Sequence, residues 1–346
     1  MMKRRAFLGG TLSATTVGTA QSITAIAQSR ASAAQPEPLL WPLVTKPLAG
    51  IQSFDGHTDT VLDVVGRLGT PASLVIFTEG NHLMVLLGDD VLGAFPSWAK
   101  SQPSYADLDL SNIVVVTVPQ PIAVQMIRSG GVALGNLTLD VSRTSGFYPD
   151  IFMGYPGPLR QLRQLGVVAP QARFFCRNRG LALLVRKDNP LGIAGLADVT
   201  RAGAGIALPD SGDVREKCRA AADELLGQTE ADRLFEVEVP GFPGRLGIMH
   251  RDLPEMVARS YADVAFTWHH LVSYWTRIFP NHFELVPVPA EGFFTQIAFA
   301  HVIDPLRARA AQAFDGFFFG RARDVYPQYD FKRMNEGEFG ATLELG

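Results

Sequence analysis

The chain has 346 residues, with 31 lysines and arginines against 34 aspartates and glutamates, a formal net charge of −3. That near balance, with no basic stripe along the chain, argues against a nucleic-acid partner. Two cysteines, Cys176 and Cys218, exclude a disulfide-rich scaffold and a four-cysteine zinc site, and leave open whether they pair or stay as buried thiols.

Lys3-Arg4-Arg5-Ala6-Phe7-Leu8 is a basic cluster with a paired arginine followed by apolar side chains, the n-region of a twin-arginine export signal. From Phe7 to Ile26 the segment is only mildly apolar, diluted by Gly9, Gly10 and Gly18, and would make a poor membrane span. Small residues offer cleavage after Ala27 or after Ala33, and no cysteine follows that could carry a lipid anchor. Residues 1–34 are therefore expected to be a signal and leader, and the mature chain to work in the periplasm. Asp55-Gly56-His57-Thr58-Asp59 reads as the capped start of a helix running from Thr58 to Leu68, with Val61, Leu62, Val65 and Leu68 inward.

The body alternates short apolar strands with longer helical patterns, which defines an α/β chain. Ser73 to Thr78 is the first clear strand, and Leu83 to Lys100 is expected to be largely helical until Pro96. Asn112 to Val118 is a strand stopped by Pro119 and Pro121, followed by helical spacing from Ile122 to Ser129. Leu137 to Val141 and Asp150 to Met153 are further strands, with a short helix from Leu159 to Leu165. Beyond Cys176 the pattern restarts. Gly180 to Val185 and Ala204 to Leu208 read as strands, Gly195 to Val199 and Val214 to Leu226 as helices. Asp263 to Thr267, Phe283 to Val288 and Gln296 to Ala300 are later strands, and Pro305 to Phe319 is a helix with Ala310, Ala313, Phe314 and Phe317 on its apolar face.

Several of these stretches, in this order, resemble periplasmic solute-binding proteins of the molybdate-binding type. Phe77-Thr78-Glu79-Gly80-Asn81 sits where that family has its first ligand loop, and Tyr148-Pro149-Asp150-Ile151-Phe152-Met153 resembles its "P-A-D-V-F" strand. Arg177 to Pro190 looks like the strand crossing into the second lobe. Leu196-Ala197-Asp198 continues the match, and Ala207-Leu208-Pro209-Asp210-Ser211 falls at the family's Gly-Asp-Pro turn. Arg259 to Trp268 resembles the return strand, and Phe314 to Phe331 the C-terminal helix and tail. The resemblance spans roughly residues 73–332 and implies the two-lobed class II periplasmic binding fold, with a ligand cleft between the lobes. It puts residues 35–178 plus 269–346 in lobe I and 179–268 in lobe II.

In that fold the ligand lies at strand C-termini and helix N-termini, whose free N–H groups and positive dipole ends favour an anion. The resemblance carries the family's first-loop hydroxyl onto Asn81 and its second-loop serine onto Gln120. Both replacements keep an amide donor but change the geometry for a tetrahedral oxyanion such as molybdate. It maps a helix-start contact near Arg215, in the turn beginning at Ser211, a second onto His250 followed by Arg251, and the pocket tyrosine onto Trp268. Each has a plainer structural reading: Ser211 or Asp213 as a helix cap, His250 as a cap, Trp268 as core, and the pair His269-His270 as surface residues of a loop. The resemblance implies a monomeric receptor without a cofactor, binding a small oxyanion or carboxylate and passing it to an ABC transporter permease. One alternative is a divalent-metal receptor using His82, His250, His269, Glu79 and Asp213, with Tyr148, Tyr155 and Tyr274 keeping a ferric site open. Another is an exported hydrolase using His57 and Asp59. The chain has no Gly-x-Ser-x-Gly elbow, no His-Glu-x-x-His and no phosphate-binding glycine-rich lysine loop.

Overall fold

The computed structural model describes residues 39, 63–67, 70–117, 119–134, 137–210, 212–242 and 249–346. The expected leader (1–34), the His57/Asp59 stretch and Ser211 lie outside the described residues. In chain order the first part gives β1 (Asp63–Val65), β2 (Leu74–Thr78), α1 (Gly80–Leu86), α2 (Phe95–Ser101), β3 (Ile113–Thr117), α3 (Gln120–Ser129), β4 (Gly131–Leu134), β5 (Leu137–Asp140), β6 (Ile151–Gly154), α4 (Pro156–Gln164) and β7 (Val168–Arg177). The second part gives β8 (Leu181–Arg186), α5 (Leu196–Arg201), β9 (Ile206–Ala207), α6 (Gly212–Leu226), α7 (Gln228–Glu236), α8 (Met249–Ala258), β10 (Val264–Trp268), α9 (His269–Ile278) and β11 (Phe283–Pro287). The chain ends with β12 (Gln296–Val302), α10 (Ala308–Phe319), α11 (Ala322–Val325) and β13 (Thr342–Glu344).

Seven strands form the first sheet, in the order β1-β3-β2-β6-β12-β7-β13. At its centre β3, β2 and β6 run parallel. Their side chains alternate between two apolar layers. Leu74, Ile76, Ile113 and Val115 face the layer built with α2 and α10, while Val75, Phe77, Val114 and Val116 face the layer built with α3 and α4. A strand buried on both faces reads as an unbroken apolar run, which is why Leu74–Phe77 and Ile113–Val116 carry no polar residue. The N-terminal edge of β6 is clamped by Asp150, whose Oδ2 accepts from the Val75 N–H at 2.8 Å and from Arg307 Nε at 2.5 Å.

The second sheet has the order β11-β8-β10-β9 and its own core, which includes Leu183, Phe266, Trp268, Val272 and Trp275. Two crossings join the sheets. The outward one passes through Asn178 and Gly180, and the chain returns between β11 and β12, which inserts antiparallel between β6 and β7. Asn178 ties the crossings together, its Oδ1 accepting from the N–H groups of Gly180 and Thr295, each at 3.2 Å. Gly180 has φ +85°, and a Cβ there would lie 2.1 Å from the Ala290 carbonyl oxygen. Glycine is required on both counts.

Several expectations are corrected. The helix expected from Thr58 to Leu68 is not one over 63–65, which form β1, antiparallel to β3; the adjacent β-branched Val64 and Val65 suit that edge. The helix expected from Leu83 to Lys100 breaks into α1 and α2. Between them Gly93 packs so closely that a Cβ would meet the Asp89 Cα at 2.8 Å, which a continuous helix does not require. Leu137 to Asp140 forms the expected strand and pairs with β4 in a two-stranded sheet of its own. His269 and His270 are not loop residues: they open α9. Residues 269–287, expected with the first lobe, belong with the second sheet. β11 pairs with β8, and Leu271, Val272 and Trp275 lie in the second core, because α9 has an apolar face that only that sheet can cover. Cys176 and Cys218 are free and buried in different cores, so they form no disulfide.

Candidate functional site

The parallel centre of the first sheet delivers three strand ends to the same side. β2 ends at Thr78, followed by Glu79 and α1; β3 ends before Pro119 and Gln120; β6 ends at Gly154 and Tyr155. Gln120 is 2 % exposed; its Nε2 donates to the Met153 carbonyl at 3.1 Å, and its Oε1 has no partner. That seating needs glycine at 154, where a Cβ would lie 2.0 Å from Gln120 Oε1. Asn81 stands one residue into α1, bonded at 3.2 Å to His270 Nε2 of the facing helix, with its Oδ1 unpartnered. Tyr155 and Asn81 both reach the Glu79 carboxyl.

From the second part come the starts of three helices. Asp213 lies at the start of α6 and acts electrostatically on Glu79. His250 lies at the start of α8, its ring 3.5 Å from where a Cβ on Gly80 would be, and its carbonyl accepts from Trp275 Nε1 at 3.1 Å. His269 and His270 start α9. The Phe331 ring stacks on His270 at 4.3 Å between centroids and on His82 at 5.5 Å, so the tail of the first lobe packs against α9. The lobes thus meet along a seam where Thr78 Oγ1, Asn81 Oδ1, Gln120 Oε1, His250 Nε2 and His270 Nδ1 are all shut off from solvent without a hydrogen-bond partner. Buried polar atoms without partners are rare in a settled core, and their concentration in one seam makes it the candidate site.

The seam is electrically quiet. Burial pushes His82 down to about 3 and His250 down to about 4, and lowers His269 and His270, so at neutral pH these imidazoles are uncharged. Burial likewise raises Glu79 to about 8, leaving it protonated. The seam therefore offers neutral donors and acceptors beside the starts of α3, α6, α8 and α9, with Asp213 as its acidic group; helix N-termini of this kind favour negative charge.

The structure brings Asn81, Gln120 and His250 to this seam, and Arg251 follows His250 on α8. Arg215 is turned to Glu238, which it grips with two hydrogen bonds of 2.6 Å each. Trp268, 1 % exposed, sits inside the second core. Tyr155 and His82 join the seam, although the sequence offers them only as metal ligands; the signal for Tyr155 is its place directly after the β6 apolar run. Among the described residues no group of three or more His, Cys, Asp or Glu is arranged to hold a metal ion. A surface cavity of about 330 Å3 lined by Ala197, Thr200, Arg201, Leu226, Glu230 and Arg233 shares no residue with the seam.

Two lobes with separate cores, joined by paired crossings and meeting along a polar seam, define the two-lobed class II periplasmic binding fold. The family profile of bacterial extracellular solute-binding proteins matches residues 107–321, and the chain belongs to that family. Among solved structures it is similar to the sulfate-binding protein SubI from Mycobacterium tuberculosis, with a TM-score of 0.51 and 13 % identity over 78 % of this chain and 88 % of that one. Iron-bound HitA from Pseudomonas aeruginosa gives a TM-score of 0.48 at 15 % identity, covering 78 % and 89 % of the two chains. Peb3 from Campylobacter jejuni gives 0.48 at 13 % identity, covering 75 % and 100 %. No curated protein matches the sequence. No helix of the described residues is long and apolar enough to cross a membrane.

Proposed function

We propose that this chain is a monomeric receptor, exported to the periplasm by a twin-arginine signal, that clasps one small oxyanion or carboxylate between its lobes. It hands that solute to an ABC transporter permease and performs no chemistry on it. The observation that carries this reading is the set of unpartnered, uncharged polar atoms at the seam, several of them on residues that stand at helix starts. In this reading Asn81 and Gln120 hold the anion from one lobe, and His250, Arg251 and Ser211 from the other. Arg215 fixes the start of α6 through Glu238, and Trp268 backs the second lobe from its core. We draw lobe I as residues 63–178 plus 295–346 and lobe II as 179–290, with Leu39 packed in the core of lobe II. SubI is a sulfate-binding protein, so an oxyanion falls within the solutes this fold takes.

A thermal-shift screen of the mature chain separates the readings. A solute at about one hundred times its dissociation constant adds roughly 2.7 kcal/mol, a shift of at least a few degrees for a chain of this length. Shifts with oxyanions or carboxylates, lost on Gln120→Ala, support the anion receptor. A response to divalent metals alone, lost on His250→Ala, replaces it with the metal receptor.

A further inference from the structure

Gln120 opens α3 directly after Pro119, and its side chain is buried. Its amide fits only one way round. Nε2 donates to the Met153 carbonyl at 3.1 Å, and a carbonyl can only accept, so Oε1 is the end left over. That oxygen lies against Gly154 at the end of β6, shut off from solvent and without a donor. Asn81, just past the end of β2, repeats the arrangement: its Nδ2 is turned to His270 Nε2 at 3.2 Å, and its Oδ1 is buried and unpartnered. β2 and β3 run side by side, Thr78 opposite Thr117, so both amides stand beyond the C-terminal ends of adjacent parallel strands, where a sheet of this kind takes its ligand. The start of α3 has few N–H groups to give an anion. Pro121 has none, and those of Ile122 and Ala123 go to the Pro119 carbonyl at 2.9 and 3.1 Å.

A solute whose outer atoms are all acceptor oxygens would set oxygen against oxygen at Gln120 and leave Oε1 unsatisfied, whereas a hydroxyl on the solute would satisfy it. We propose that the bound anion carries a hydroxyl of its own, which donates to Gln120 Oε1, and that Gln120, with Asn81 beside it, selects hydroxyl-bearing anions over those that present acceptor oxygens only. This rests on the anion reading of the seam and narrows it. Two classes of solute have this chemistry, a hydroxycarboxylate and a singly protonated oxyanion such as hydrogenphosphate. An ammonium group in place of the hydroxyl would also donate, but it would cancel the charge on which the anion reading depends.

The test is isothermal titration of the full mature chain with solutes paired by shape and charge: lactate against propionate, and hydrogenphosphate against sulfate, with alanine as the ammonium counterpart of lactate. The hydroxyl-bearing member should bind at least about tenfold more tightly in one pair or in both, the scale expected when a buried acceptor is left unpaired. The pair that responds identifies the class of solute. Gln120→Met, which keeps the bulk but has no amide, should bring the ratio within that pair to about one; a residue that only shaped the seam would lower both affinities and leave their ratio alone. The wild-type ratios need no variant. Lactate and hydrogenphosphate binding no more tightly than their partners, alanine binding more tightly than lactate, or a ratio unchanged in Gln120→Met would overturn the role of Gln120. If the wild type binds none of these solutes, the anion reading itself falls and this inference with it. The two failures are distinct, since the first shows binding without preference and the second no binding.

Discussion

Asp150 and Arg307 form an ion pair set deep in the first lobe. The Asp150 carboxyl has no solvent exposure, and burial pushes its pKa up despite the Arg307 guanidinium beside it. Removing one partner of such a pair strands a buried charge, so Arg307→Ala is expected to cost about 3–5 kcal/mol in urea unfolding at pH 7. Little loss would mean that the carboxyl finds water or a proton without cost. The seam histidines act on stability through pH. His82 titrates at about 3 and His250 at about 4 in the folded chain, below the ordinary 6.5, so the unfolded chain takes up their protons first as pH falls. Their contribution is full above about pH 6.5 and is lost as pH drops towards those folded values, amounting at pH 5 to about 2 kcal/mol for each ring. His82→Phe, in a pocket already lined by Phe175, Tyr326 and Phe331, should therefore narrow the gap in stability between pH 7 and pH 5 by roughly that amount. Glu79 has the opposite sign. Its pKa is raised, so its contribution is present below about pH 4.5 and lost as pH rises through about 8.

At the scale of elements, the paired crossings tie the two lobes together. Asn178 holds both strands by its one carbonyl oxygen, and Gly180 passes Ala290 with no room for a side chain. Gly180→Ala demands both a left-handed backbone and the displacement of a carbonyl, and should cost about 2 kcal/mol or more by thermal unfolding. An unchanged melting temperature would show that the crossing tolerates a wider path. Elements are legible where one physical cause acts alone. The unbroken apolar runs of β2 and β3 can only be buried strands, and Pro119 and Pro121 mark the start of α3. Legibility fails where tertiary contact overrides the local pattern. The helical spacing from Leu83 to Lys100 hides the Gly93 turn, and β7 mixes exposed Pro170 and Gln171 with buried Phe175 because it lies near the edge of its sheet. His269-His270 looks like a polar surface pair until α9 lays Leu271, Val272 and Trp275 on the second core.

For the whole molecule, two lobes can be read from the order of weak motifs, whereas the return crossing cannot. Only β-pairing reveals that β11 stays with β8 before the chain goes back. The candidate site is half legible. Asn81, Gln120 and His250 follow from their places at strand ends and helix starts, but a sequence cannot say that Arg215 is taken by Glu238 or that Trp268 is sealed in a core. Nor does it show that Glu79, which would repel an anion as a carboxylate, is buried enough to keep its proton. The most direct measurement of what the seam holds is an equilibrium titration of the mature chain at pH 7 with a panel of oxyanions, carboxylates and divalent metals. An anion receptor should bind one anion per chain, with affinity reduced at least tenfold in Gln120→Ala and in His250→Ala. Binding of metals alone, or anion binding indifferent to both substitutions, would contradict that function.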